Sequence, residues 1–214
     1  MKDLNKELHI FSFEMNDCEE ILEVIESANG NKVSDNEKQR LLDLGIPERF
    51  IDDFEAFFGF KIKWRSLPDT GVEAGGSVNV MKLPMVFSDW KGQTYFNNTP
   101  EDDVTRDFKI VDFYFDEHAS GILFGKQKDF TFHNAALNGS APKSLDLDIN
   151  GYIEMMMISK GYAHWQLVVE YVLYGGYWEE HTENFKEKMP KLFPDWTWEA
   201  WLKKFEEVRL HTAK

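Results

Sequence analysis

Cysteine is nearly absent from this chain. Cys18 is the only one, so no disulfide can form within it, and a reducing compartment is the expected setting. Long apolar runs are missing too. YIEMMMI and LVVEYVLY fall far short of the roughly 20 residues a bilayer demands, and they contain Glu154 and Glu170. The opening stretch, MKDLNKELHIFSFEMNDCEE, lacks an apolar segment followed by a small-residue cleavage site. A soluble, cytoplasmic protein is therefore expected. Cations are scarce: 24 Lys or Arg stand against 38 Asp or Glu, a net charge of −14. Phosphate backbones need a basic footprint, so direct nucleic-acid binding is not expected. A basic protein partner is compatible with such a surface, although acidity also serves solubility alone.

Apolar and aromatic side chains are plentiful. The 214 residues are 43% hydrophobic and 15% aromatic, enough to bury a core without cross-links. The pattern predicts one α+β domain: N-terminal helices, a central, mainly antiparallel, curved sheet, and C-terminal helices packed on it. Within 1–214, we expect a helical extension over 1–33, an α+β core over 34–173 and a Trp-rich helical tail over 174–214. Three early helices are expected. DCEEILEVIESANG places Cys18, Ile21, Leu22, Ile25 and Ala28 on one face. SDNEKQRLLDLG opens with a capping box at Ser34 and Glu37. IPERFIDDFEAFFGF sets Phe50, Phe54, Phe57 and Phe58 at helical spacing. From Phe60 to about His133, β-branched and aromatic residues alternate between Gly, Pro and Asn breaks. FKIVDFYF (108–115) is apolar on both sides, with Val111, Phe113 and Phe115 on one and Phe108, Ile110 and Tyr114 on the other. It is the expected central strand. Helices return near residue 149, and the tail FPDWTWEAWLKKFEEVRL carries a stripe of Trp198, Trp201, Leu202 and Phe205, capped by Asp195 or Thr197.

Few patterns here carry chemistry. SLDLDINGYIEMMM (144–157) starts like an EF-hand, with Asp146, Asp148 and Asn150 two apart before Gly151. The twelfth loop position is Met157, whose thioether cannot replace the bidentate glutamate a hard cation requires, so the expected role is a helix cap. Asp116, Glu117, His118 and His133 are the candidates for a metal, but no H-E-x-x-H, H-x-H or cysteine cluster supports them. No metal and no cofactor is expected. Cys18 reads as a small core residue, no G-x-S-x-G is present, and EAGGSVN lacks the lysine and the strand-to-helix setting of a phosphate loop. We expect no catalytic residues.

Three stretches resemble the SUKH superfamily of fungal cell-wall regulators and bacterial toxin-immunity proteins. GIPERFIDDFEAFFGF resembles its Ile-Pro-x-x-aromatic-x-x-Phe helix, here Ile46, Pro47, Phe50 and Phe54, followed by Gly59. LPMVFSDWKGQTYF resembles its strand pair around a Gly-containing turn, here Asp89 to Gly92. SLDLDINGYIEMMM resembles its capped C-terminal helix. The likeness spans about residues 40–173. It implies an α+β fold with a curved sheet, no catalysis and a surface that binds another protein, in bacterial members commonly a polymorphic nuclease or deaminase toxin. A regulatory or scaffold protein of the same fold, or a metal-dependent enzyme, are the alternatives. The acidic charge is concentrated early: residues 1–59 hold 6 Lys or Arg against 15 Asp or Glu. On helices over 17–28 and 47–58, Glu19, Glu23, Glu26, Asp52 and Glu55 would point away from the apolar side. They are the expected contact face for a basic toxin domain.

Overall fold

The computed structural model describes residues 3–19, 21–30, 32–115, 117–125 and 128–211. Among these the chain order is α1 (Leu4–Asn16), β1 (Leu22–Ala28), α2 (Asp35–Asp43), α3 (Glu48–Phe54), β2 (Lys61–Ser66), β3 (Gly75–Asn79), α4 (Leu83–Val86), β4 (Phe108–Phe115), β5 (His118–Phe124), β6 (Lys128–Ala136), β7 (Lys143–Leu147), α5 (Ile149–Ile158), α6 (Trp165–Tyr174), α7 (Glu179–Leu192) and α8 (Trp198–Val208). The expected α+β class is correct. Both sheets are antiparallel, one ordered β1-β2-β3 and the other β4-β5-β6-β7. An isolated bridge between Val80 and Asp112 joins them, and the Met81 N–H donates to the Val111 carbonyl at 2.7 Å.

The first sixty residues differ from the three expected helices. DCEEILEVIESANG is not helical. Its second half is the edge strand β1, paired to β2 with a bulge between Val24 and Glu26. This sequence fits either period, because Leu22 and Val24 alternate as well as Ile21, Leu22 and Ile25 recur. Pairing decides. Glu23 meets Arg65 and Glu26 meets Lys61 across the ladder, and Ile25 is left exposed. Ahead of it lies α1, capped by Asp3 and burying Leu4, Leu8, Phe11 and Met15. The 1–33 segment is therefore a helix and a strand, and its side chains join one cluster that continues through Phe58, Trp64, Tyr152 and Trp165 to Phe205. LPMVFSDWKGQTYF also departs from expectation. Leu83–Val86 is a short helix with Pro84 in its first turn, where the missing N–H costs nothing, and only a single bridge links Lys91 to Tyr95.

α5 and α6 pack on β6 and β7, and α1 packs on β1. The Asp148 side chain caps α5 by accepting from the Gly151 N–H at 2.8 Å. Gly76 has no room for a side chain: a methyl there would lie 2.0 Å from the Trp64 indole nitrogen. That indole donates to the Lys160 carbonyl at 2.8 Å, fastening β2 to the end of α5.

β4 is not the expected central strand: it lies at the edge of the four-stranded sheet, joined to the other sheet at the Val80–Asp112 bridge, and its faces are not those expected. Bulges follow Ile110 and Asp112, so strict alternation fails. Val111 enters the main core, while Phe108, Ile110 and the half-buried Phe113 pack in a smaller cluster with Ala119 and Ala135. Phe115 is 51% exposed. Full burial of Phe113 would have put its truncation at about 3–5 kcal/mol. Half-burial lowers the expected loss for Phe113→Ala to about 1–2 kcal/mol, below that of Phe108→Ala. Urea titration of the two variants checks this order; equal losses would place Phe113 in the core.

Candidate functional site

The five acidic residues do not form one helical face. Glu23 binds Arg65 and Glu26 binds Lys61 on the β1–β2 ladder. Asp52 on α3 accepts from Lys38 at 2.8 Å. The Glu55 carboxylate takes the backbone N–H of Val33 at 2.5 Å. Glu19 is exposed in the turn before β1. Four of the five are thus engaged by the chain itself, which leaves them able to contribute to a long-range field and less free for direct contact.

The metal candidates do not converge either. Asp116 lies outside the described residues. His118 pairs with Ala136 and His133 with Gly121 across β5–β6. Three residues of strand therefore separate the two histidines, roughly 10 Å. His133 Nδ1 is bonded to the Thr131 carbonyl at 2.8 Å. Among the described residues, no group of three His, Cys, Asp or Glu is placed to hold an ion. The pseudo-calcium loop is spent on structure: Asp146 is buried and paired with Arg209 at 2.8 Å, and Asp148 is the cap.

Two polar clusters that no local pattern announces sit behind and beside β4. The first is fully buried. Asp112 accepts from the Asn79 N–H at 2.9 Å, from the Tyr152 hydroxyl at 2.8 Å and from Gln166 Nε2 at 3.4 Å. Burial raises its carboxyl to about 6, against the hydrogen bonds from Asn79 and Tyr152. It ties the β3–β4 junction to α5 and α6.

The second cluster reaches the surface. Glu170 on α6 is buried and accepts from Asn134 Nδ2 at 3.1 Å, Lys143 Nζ at 2.6 Å and the Trp178 indole at 2.9 Å. Trp178 faces His118 and His181, with ring centroids 5.8 and 5.5 Å away. His164 stands 5.5 Å from His181 and 4.7 Å from Phe115. Burial first, then the neighbouring imidazoles of His181 and His118, lowers His164 to about 4; burial likewise lowers His118. Beside this stack the joint Gly175–Gly176 takes positive φ angles of 68° and 96°, which glycine adopts without strain. Tyr177 follows, 98% exposed. Glu117 adjoins His118 in the chain and Glu179 and Glu180 follow Trp178, all three exposed. The result is an aromatic and imidazole surface with an acidic rim.

These groups have opposite pH signatures. His164 binds its proton less readily folded than unfolded. Its contribution is intact above its free value of 6.5 and is lost as pH falls toward 4. Asp112 binds its proton more readily folded, so folding gains stability as pH falls through 6 toward 3.8. Between pH 7 and 4.5, the stability difference between the native chain and Asp112→Asn should move in the native chain's favour by about 2 kcal/mol. The corresponding difference against His164→Gln should move the other way. Urea titrations at both pH values check this; differences that do not change with pH would show that neither group is perturbed.

Comparisons with protein-family models, with curated proteins and with solved structures gave no match. No helix among the described residues is long and apolar enough to cross a membrane.

Proposed function

We propose that this chain is a non-catalytic protein-binding module, an immunity protein that neutralises a basic toxin domain of the nuclease or deaminase kind. The observation that carries this reading is the exposed surface at the α6–α7 joint. Tyr177 precedes Trp178 in the chain and Phe115 packs on His164, both rings exposed, and Glu117, Glu179 and Glu180 are exposed close by in the chain. Large aromatic side chains are the commonest anchors of protein interfaces, and an acidic rim favours arginine and lysine on the partner, which also stack on aromatic faces. The likeness to the SUKH superfamily supports the same reading, and the net charge of −14 suits a basic partner. In this proposal Glu19, Glu23, Glu26, Asp52 and Glu55 add to the steering field, and the joint makes the close contact.

A basic nuclease or deaminase domain encoded beside this chain is the partner to test. Cells expressing that domain should survive only with this chain present. Association should slow near 1 M salt, where the Debye length shrinks to about 3 Å, and also in the triple variant Glu19→Gln, Glu23→Gln, Glu26→Gln. Tyr177→Ala should instead speed dissociation, by roughly tenfold or more for a central anchor. Full protection by Tyr177→Ala combined with Glu117→Gln, Glu179→Gln and Glu180→Gln would reject the joint as the contact. Absence of any complex with the domain would reject the function.

A further inference from the structure

α7 turns one polar edge toward the loop that precedes α6. His181, Asn184 and Lys188 recur at i, i+3 and i+7, so they stand one above another on the helix surface. They line a cleft of about 540 Å³ whose opposite wall includes Arg65, Glu73 and Tyr162. Among the described residues, many cations pair with the chain's own carboxylates, such as Lys38 with Asp52, Lys143 with Glu170, Lys191 with Glu187 and Arg65 with Glu23. Other described lysines, Lys63 and Lys91 among them, also lack a carboxylate partner, but Lys188 is the one that lines this cleft. Among the described residues it makes no ion pair or hydrogen bond, and the side chains of Asn184 and His181 make no hydrogen bond. His181 is positioned only by ring contacts with Trp178 and His164. Three polar groups of one helix face, all with unused hydrogen-bonding capacity, therefore open on the same volume.

We propose that this cleft binds a small molecule bearing a phosphate or carboxylate group. The Lys188 ammonium supplies the charge, as a point donor that suits either anion. The Asn184 amide and the His181 imidazole supply directed hydrogen bonds. Arg65 is already held by Glu23 and stays a wall. Glu73 repels a second anionic group and accepts from a hydroxyl or amine, so the favoured ligand is an anion at the α7 side with a donor at the other end. The cleft's volume fits a metabolite-sized ligand. In a protein of charge −14, the long-range field opposes anions, so affinity here has to come from these local contacts.

The test is titration of the isotope-labelled full chain with inorganic phosphate and, separately, with acetate, at constant ionic strength. Saturable shifts of the His181, Asn184 and Lys188 resonances are expected, and the tighter of the two ions identifies which anion the site prefers. Lys188→Met should weaken binding about tenfold and Asn184→Ala severalfold, whereas Lys191→Met, on the same helix but paired with Glu187, should leave it unchanged. Circular dichroism confirms that each variant folds. Absence of saturable shifts with either ion, or equal affinity in Lys188→Met and the native chain, would overturn the proposal.

Discussion

Trp201→Ala is expected to destabilise the protein by about 3–5 kcal/mol, the range for deleting a fully buried large aromatic. Trp201 lies on α8 with no exposed surface. Its indole donates to the buried Ser159 hydroxyl at 2.8 Å. Its ring stacks on Trp198 at 5.0 Å and meets the Phe185 edge at 5.7 Å. Truncation therefore opens a cavity between α5, α7 and α8 and leaves the Ser159 hydroxyl without that donor. For a chain of this size the loss corresponds to a melting point lower by roughly 10 °C. Tyr177→Ala is the control: an almost wholly exposed ring should cost less than about 0.5 kcal/mol. A near-native midpoint for Trp201→Ala in thermal or urea unfolding would show that the tail is not part of the folded body. The same geometry answers whether the Trp stripe packs or docks a partner. The stripe is core.

Arg209→Ala should cost a similar amount, about 3–5 kcal/mol, for an electrostatic reason. Asp146 is buried at a φ of 58° and Arg209 Nε donates to its carboxylate at 2.8 Å. The pair also fixes the chain end: Leu147 and Arg209 form a bridge, and the Leu210 N–H donates to the Asp146 carbonyl at 2.8 Å. Removing the guanidinium takes from a buried carboxylate the cation that Arg209 supplies. Asp146→Asn tolerates the same left-handed backbone and carries no charge, so adding it to Arg209→Ala should recover part of the loss. A double variant as unstable as the sum of its singles would show that the two groups are not coupled.

Asp146 and Trp201 mark where the sequence could and could not be read. Met157 argues against calcium from the chain alone, because a thioether is no ligand for a hard cation. The actual partner of Asp146 lies 63 residues downstream, beyond any local pattern. The period-2 stretch before His133 and the Trp stripe of α8 were legible, since each buries one side of a regular element. SLDLD was not legible as β7, because its flanks, a proline and a cap, read as a loop. The site was harder still. His118, His164, Trp178 and His181 come from β5, the loop before α6, the joint after it and α7, at separations that match no motif.

Composition and periodicity by themselves determined a good deal here: an α+β chain without disulfides, strongly acidic, with an antiparallel middle and an amphipathic tail. These properties depend on neighbouring residues and on sums over the whole chain, which any sequence displays. The tertiary structure alone decided that Leu22–Ala28 is a strand. A short segment with both periods takes whichever element a partner strand offers, and Lys61 and Arg65 on β2 supplied the charges its glutamates needed. It alone decided that four of the five expected contact carboxylates are already engaged by the chain itself, and that an aromatic and imidazole surface forms at the α6–α7 joint. Long-range contacts settle such matters, because side-chain burial and charge pairing are fixed by which elements meet.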